Sequence, residues 1–356
     1  QKRRGNMKEI KTIMIKVDVK NPEKSLIEKG ADMIKSGGLV AFPTETVYGL
    51  GANGLDEEAV KNIFLAKGRP QDNPLILHIA DSKQIVPLVE SIPEAAQKLM
   101  KRFWPGPLTI LFKRSNLVPD IITAGLDTVA IRMPKNAIAL ELIRASGVPL
   151  AAPSANTSGK PSPTLATHVM EDLKGKVHMI LDGGRTGIGL ESTVLDLSGE
   201  IPLILRPGGI TLEALREEIP QVEEDLSIMR DDRVPKSPGQ KYKHYAPKAE
   251  MYLFVGSVDN MVRAIDEYAN RYISSGKKVG IMATEETKDQ YQRGVVISLG
   301  SRRNKESIAY NLFSTLRLFD EEDIDIILAE AVDLEGIGTA IMNRMKKAAG
   351  GNIIKV

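Results

Sequence analysis

Leu39-Val40-Ala41-Phe42-Pro43-Thr44-Glu45-Thr46-Val47-Tyr48-Gly49-Leu50-Gly51 is followed, one helix later, by Lys67-Gly68-Arg69-Pro70. Leu39 to Phe42 reads as a short buried strand that the Gly37-Gly38 turn opens. It runs straight into two threonines, a glutamate and a tyrosine, whereas ordinary core strands end in turn residues. The second cluster sets two cations around a glycine, and a proline fixes the exit. Hydroxyls at a strand end, facing a lysine and an arginine, suit a small anionic substrate beside a phosphate. Either cluster alone is equally well a capped strand end or a solvated pair of cations. Together they favour a site.

With 356 residues the chain is long enough for two domains or one large one. An apolar fraction of 42% and a charged fraction of 26% are those of a soluble globular protein. A net charge of +2 is too small for a protein that coats a polyanion, so any direct RNA contact is expected to be weak and local. There is no cysteine, which excludes a disulfide frame, a thiolate zinc site and a cysteine nucleophile, and fits a reducing cytoplasm. No apolar run approaches the ~20 residues that span a bilayer, and Gln1 to Asn6 lack the apolar core of a signal peptide.

Outward from the central stretch, Ile10 to Val19 reads as a strand, and Pro22 opens a helix with Ile27, Ala31 and Ile34 on one face. Asp56 is placed to cap a helix whose last turn delivers Lys67 and Arg69, both expected at exposed element ends. Leu75 to Ile79, Leu108 to Phe112, Val129 to Met133, Val148 to Ala152, Met179 to Asp182 and Leu203 to Arg206 read as further strands, with Glu191-Ser192-Thr193 opening another. They mix with helices without regular βαβ spacing, which predicts a twisted mixed sheet rather than a doubly wound parallel one. Residues 223–248 are charged, proline-bearing and weakly periodic, and read as a linker. Beyond it, strands at Met251–Val255, Val279–Met282, Val295–Leu299 and Ile324–Ala329 alternate with helices, as in a small Rossmann-like α/β domain. The expected domains are therefore 7–222 and 249–356.

Gly49-x-Gly51-x-x-Gly54 matches the dinucleotide fingerprint in letters only, because Pro43 to Tyr48 intervene where the strand should meet the first glycine. These glycines are read as a tight turn. Lys67 and Arg69 suit triphosphate neutralisation, and Asn73 adds a donor in the same loop. Arg132 inside an apolar strand needs an anion, which is either a structural carboxylate or a substrate's. Ser154-Ala155-Asn156, with Ser158 and Ser162 behind, offers hydroxyls and backbone N–H groups to phosphate or ribose. Arg206-Pro207-Gly208-Gly209 repeats the pattern of a cation at a strand end before a turn. The four histidines, at 78, 168, 178 and 244, do not pair at metal-ligand spacing. His168 and His178 are read as structural or surface residues.

From Gly37 to Gly209, and again at Ser237-Pro238-Gly239 and His244-Tyr245-Ala246-Pro247, the chain resembles the YrdC-like family of threonylcarbamoyl-adenylate synthases in its long two-domain form. The resemblance implies a mixed sheet around an open cavity holding L-threonine and ATP side by side. Carried across, Thr46, His78, Thr128, Arg132, Ala152 and Ser192 would surround threonine. Arg69, Asn73, Ser154, Asn156, Ser162, Arg206 and Tyr245 would face the nucleotide, with Lys67 near the phosphates. Lys67 and Arg69 would carry the catalytic electrostatics. The implied reaction joins L-threonine, bicarbonate or CO2, and ATP into threonylcarbamoyl-adenylate, pyrophosphate and water. Mg2+ would arrive with ATP and need no dedicated protein cage. A separate transferase acting on tRNA beside the anticodon would take the product. The linker, with Tyr245, would fold back as a lid over an adenylate unstable in water. A duplex-RNA-binding module and a carbamoyl-phosphate-dependent carbamoyltransferase are the rival readings. Near-neutral charge speaks against the first, and missing zinc-finger and acylphosphatase parts against the second.

Overall fold

The computed structural model describes residues 10–225 and 244–356. The strands are β1 Ile13–Lys16, β2 Val40–Phe42, β3 Gly49–Asn53, β4 Ile76–His78, β5 Leu108–Lys113, β6 Thr128–Arg132, β7 Leu150–Ala151, β8 Met179–Asp182, β9 Thr193–Asp196, β10 Leu203–Arg206 and β11 Glu223–Glu224. They form one sheet in the order β1-β8-β2-β3-β7-β4-β6-β5-β9-β10-β11. Pairings such as β2 with β8 and β4 with β6 are parallel, whereas β2 with β3 and β5 with β6 are antiparallel, so the sheet is mixed as expected. The helices of this part are α1 Lys24–Lys35, α2 Glu57–Lys67, α3 Glu94–Phe103, α4 Asp120–Thr123, α5 Ala137–Ser146, α6 Ala166–Leu173 and α7 Leu212–Glu218.

Local chemistry explains these elements. Ile27, Ala31 and Ile34 line the buried face of α1 and pack with Ile138, Leu142 and Ile143 of α5 on one side of the sheet. The other side carries α2, whose cap is as anticipated: Asp56 Oδ1 accepts from the Glu58 and Ala59 amides at 3.0 and 3.2 Å. Val60, Ile63 and Phe64 of α2 join Leu50, Leu77 and Ile110 in the larger core.

The second part is β12 Glu250–Val255, α8 Val258–Ser274, β13 Val279–Ala283, β14 Val295–Ser298, α9 Lys305–Glu321, β15 Ile326–Glu330, α10 Gly338–Ala348 and β16 Ile353–Lys355. Its five strands lie in the order β14-β13-β15-β12-β16, all parallel, which is the Rossmann-like arrangement expected. Strand β16 was not foreseen, because three residues at the chain end carry no alternation to read. The first sheet also runs past residue 222: Glu223 and Glu224 pair with Leu203 and Ile204, although two glutamates give no strand signal. Residues 226–243 of the linker, with Ser237-Pro238-Gly239, lie outside the described residues.

One reading needs correction. Gly49 and Gly51 do not make a tight turn; they lie within β3, opposite Phe42 and Val40 of β2. A Cβ on Gly51 would stand 2.8 Å from the Phe42 ring and 3.2 Å from the Val40 carbonyl. Gly51 is required by the close approach of a buried ring. Gly51→Ala is expected to cost about 1–3 kcal/mol through overpacking, read as a lower urea midpoint at unchanged slope; an unaltered midpoint would show that the ring has room to move.

Candidate functional site

The strand ends of the first sheet and the connections after β2, β7 and β8 enclose one cavity, with about 860 Å³ of empty space including its open mouth. Thr46, His78, Arg132, Ala152 and Ser192 line it, as do Lys67, Arg69, Asn73, Ser154, Asn156, Ser162, Arg206 and Tyr245. Thr128 does not. It begins β6 opposite Lys113, while Arg132 at the other end of that strand faces the cavity. Four residues of extended chain put the two about 13 Å apart, so Thr128 lies away from the group that the resemblance sets around threonine.

The loop after β2 is shaped by its own hydroxyls. Thr44 Oγ1 accepts from the amides of Thr46 and Val47 at 3.1 and 3.2 Å, donates to the Val47 carbonyl at 2.6 Å, and accepts from Thr46 Oγ1 at 2.9 Å. Arg132 donates to Thr46 Oγ1 at 3.1 Å, to the Gly106 carbonyl at 3.3 Å, and to Glu45 in an ion pair. A structural carboxylate therefore answers the anion that Arg132 needs, and its Thr46 contact keeps it at the cavity wall. Tyr48 differs from expectation: its hydroxyl donates to the Gly184 carbonyl at 2.6 Å and accepts from the Gly183 amide at 3.2 Å. It anchors the loop of residues 183–189 rather than offering a hydroxyl to a ligand. That loop in turn holds the threonine-rich one, because the amides of Ile188 and Gly189 bond the carbonyls of Glu45 and Thr46 at 2.8 and 3.1 Å.

Lys67 is not at an exposed helix end. It is 2% exposed, and its ammonium donates to the carbonyls of Ser154 and Asn156, the latter at 2.7 Å. The loop after β7 curls back over α2, which periodicity alone does not reveal. Burial, then the neighbouring Arg69 guanidinium, hold the Lys67 ammonium well below its ordinary value. Burial and Arg206 push Arg69 down to about 10. Burial likewise lowers Arg206 to about 10, and the charges of Arg344 and Arg132 act in the same direction. Three cations that repel one another in one cavity define a place for anions. Arg69 Nε and Asn73 Oδ1 are buried there without a hydrogen-bond partner among the described residues, as groups reserved for a ligand often are.

Sequence reasoning missed four residues that matter here. Glu191 lines the cavity, with Oε1 accepting from Ser162 and Oε2 from Arg344 Nε at 3.0 Å. Arg344 comes from α10 of the second part and is fully buried. Asp172 and Arg317 of α9 make a second such bridge, at 3.1 and 3.0 Å. A signal existed: Arg344 shares the buried face of α10 with Ile341 and Met345, and Arg317 that of α9 with Phe313 and Leu316, where a cation must have a partner. Tyr245, at φ 58°, is buried against Phe313 with ring centroids 5.2 Å apart, and the Ala246 amide bonds the Gly159 carbonyl at 2.8 Å.

His78 packs edge-on to Phe42 with ring centroids 6.3 Å apart, and its Nδ1 lies 3.2 Å from the Ile76 carbonyl. Burial, then the charge of Arg132, push its imidazole down to about 3. The ring is neutral in the native protein but protonates near its ordinary value when unfolded. Its contribution to stability is present above about pH 6.5 and is lost as pH falls toward 3. An imidazole nitrogen NMR titration should show no His78 midpoint above about pH 5; a midpoint near the ordinary value would contradict a buried neutral ring. His168 and His178 are structural, accepting from the amides of Thr164 and Leu39 at 3.2 and 3.0 Å.

A family described as telomere recombination, the Sua5–YciO–YrdC group, matches residues 32–208. A second, described as the threonylcarbamoyl-AMP synthase C-terminal domain, matches residues 210–350. The threonylcarbamoyl-AMP synthase of Pyrococcus abyssi is 52% identical over 93% of this chain and 96% of its own. That of Bacillus subtilis is 50% identical over 92% and 94%. The crystal structure of P. abyssi Sua5 complexed with L-threonine superimposes with a TM-score of 0.93 at 51% identity, covering 97% of this chain and 99% of the other. Two matched domains in the same order, on a cavity lined by cations and hydroxyls, place the chain in one family: it belongs to the threonylcarbamoyl-AMP synthases.

Proposed function

We infer that the cavity of this threonylcarbamoyl-AMP synthase holds L-threonine and ATP side by side and aligns them for adenylation. The observation that carries the reading is the convergence of Lys67, Arg69 and Arg206 on one wall, with Thr46, His78, Arg132, Ala152 and Ser192 also lining the cavity. In this reading the second group holds threonine, with Arg132 turning part of its guanidinium from Glu45 to the substrate carboxylate. Neutral His78 and the Ala152 methyl would bound its side chain. The nucleotide would lie along Arg69, Asn73, Ser154, Asn156, Ser162, Arg206 and Tyr245.

The chemistry follows from these roles. Bicarbonate or CO2 and the threonine amine give a carbamate, with water leaving from the bicarbonate route. A carbamate oxygen then attacks the α-phosphorus in line, and pyrophosphate departs. The nucleophile belongs to the substrates, so the protein's part is to hold anions together and stabilise charge on the leaving group. Mg2+ accompanying ATP would supply further neutralisation from phosphate and water ligands, because Glu191, the lining carboxylate, already holds Ser162 and Arg344. Tyr245, buried over the cavity between the two domains, suits a lid that shields the adenylate from water. A separate transferase acting on tRNA would consume the product. Among the described residues no helix is long and apolar enough to cross a membrane, and a cysteine-free chain suits the cytoplasm.

Mass spectrometry of products from ATP, labelled bicarbonate and an amino-acid panel tests the reaction. L-threonine should exceed L-serine in kcat/KM by roughly 10–200-fold, the value of one methyl in a fitted pocket; equal turnover would remove the methyl-sized pocket. Arg69→Ala should raise the ATP KM or slow pyrophosphate release by roughly 10–100-fold, as expected for losing a charge-assisted phosphate contact. Lys67→Ala is a poorer probe, since that buried ammonium also ties two backbone carbonyls. Parent-level pyrophosphate release by Arg69→Ala would take the nucleotide off this wall.

A further inference from the structure

Two carboxylates of the first domain belong to the surroundings of the cation cradle, and an arginine of the second domain meets each. Glu191 lines the cavity and is bonded by Arg344 Nε at 3.0 Å. Asp172 receives both terminal nitrogens of Arg317, at 3.1 and 3.0 Å, with the Thr157 amide at 2.9 Å and Lys160 at 3.3 Å. All four side chains are buried. Burial alone would raise both carboxyls, yet the arginines hold both below their ordinary values. Fastening two domains does not require this: apolar contact achieves it without desolvating two charges, and the same interface already packs Val47, Leu190 and Tyr245 into the second domain's core.

We propose that Arg344 is a positioning residue for ATP: it keeps the Glu191 carboxylate bonded and neutralised, so that Lys67, Arg69 and Arg206 present their full charge to the phosphates. The second domain thereby completes the anion site from behind. It does so chiefly through Glu191, the carboxylate that lines the cradle, without itself supplying the phosphate ligands. Without Arg344, Glu191 stands in the cavity wall as an anion facing a polyanion. Ser162, which donates to Glu191, loses its fixed orientation with it. The inference rests on the nucleotide reading given above.

The test is a double-mutant cycle in the full chain, read as separate KM values for ATP and threonine. Arg344→Gln should raise the ATP KM about tenfold or more with the threonine KM within about twofold of the parent, as one uncompensated charge in a partly screened site predicts. Arg344→Gln combined with Glu191→Gln should bring the ATP KM back to within about threefold, since the repelling charge is gone. Arg344→Lys, which keeps the charge, should lie nearer the parent than Arg344→Gln. If the double variant binds ATP as poorly as Arg344→Gln, or if both KM values and kcat change together, the arginine only fastens the domains and the proposal is overturned. Should Arg344→Gln fail to fold by circular dichroism, the double variant, which leaves no unpaired charge, is compared with the parent directly: an ATP KM within about threefold supports the proposal and a rise of about tenfold overturns it. Parent-like ATP KM and parent-level pyrophosphate release together in Arg69→Ala would instead discard the nucleotide reading, which separates the two failures.

Discussion

Like charges buried close together in one cavity define this molecule. Lys67, Arg69 and Arg206 each lose hydration on burial and each is disfavoured by another cation. Such a cluster persists only where the scaffold over-determines it. Here the scaffold consists of backbone carbonyls at 154 and 156 beneath the Lys67 ammonium, Ser192 beneath Arg206, and the carbonyls of Asn73 and Pro74 beneath Arg69. The oxygens of these contacts are neutral, so they orient the cations without cancelling their charge.

The mixed sheet serves that arrangement. Strands β4, β6 and β10 end in His78, Arg132 and Arg206, so three short elements bring three site residues to one rim. The antiparallel β2–β3 hairpin returns the chain across a backbone thin enough to seat the Phe42 ring against Gly51. That ring then supports His78. Packing in the core and a neutral imidazole in the cavity are therefore two ends of one contact.

Local patterns made much of this legible in the sequence. The strands from Leu39 to Arg206, the Asp56 cap and the parallel second sheet follow from apolar runs and turn residues, and of the residues that the family motifs assigned to the site all but Thr128 line the cavity, whereas Glu191 was missed. Long-range effects were not legible. Whether Lys67 is exposed depends on a loop about ninety positions later folding over it, since it bonds Ser154 and Asn156 with separations of 87 and 89 residues. Gly51 looked like a turn because glycine letters do not say whether freedom or thinness is needed. Glu223 and Glu224 are a strand only because β10 offers an edge. The interdomain arginines span 145 and 153 positions, and only the apolar face each occupies hinted at a distant carboxylate.

The seam beside the loop of residues 183–189 has a mechanical consequence. Gly189 bonds the Thr46 carbonyl on one side, and on the other its would-be Cβ stands 2.6 Å from the Ala309 carbonyl of α9. Arg185 pins the same loop to that helix, donating to the Tyr310 carbonyl at 2.9 Å, Asn311 Oδ1 at 2.8 Å and Ser314 Oγ at 3.0 Å. There is no slack in this joint: helix backbone, glycine and threonine-bearing loop touch in series like stacked shims. A displacement of α9 toward Gly189 would bear on the same backbone that bonds the Thr46 carbonyl. The position of Thr46 at the cavity wall is thus tied to the seat of the second domain, and a single methyl inserted at position 189 would press on both at once.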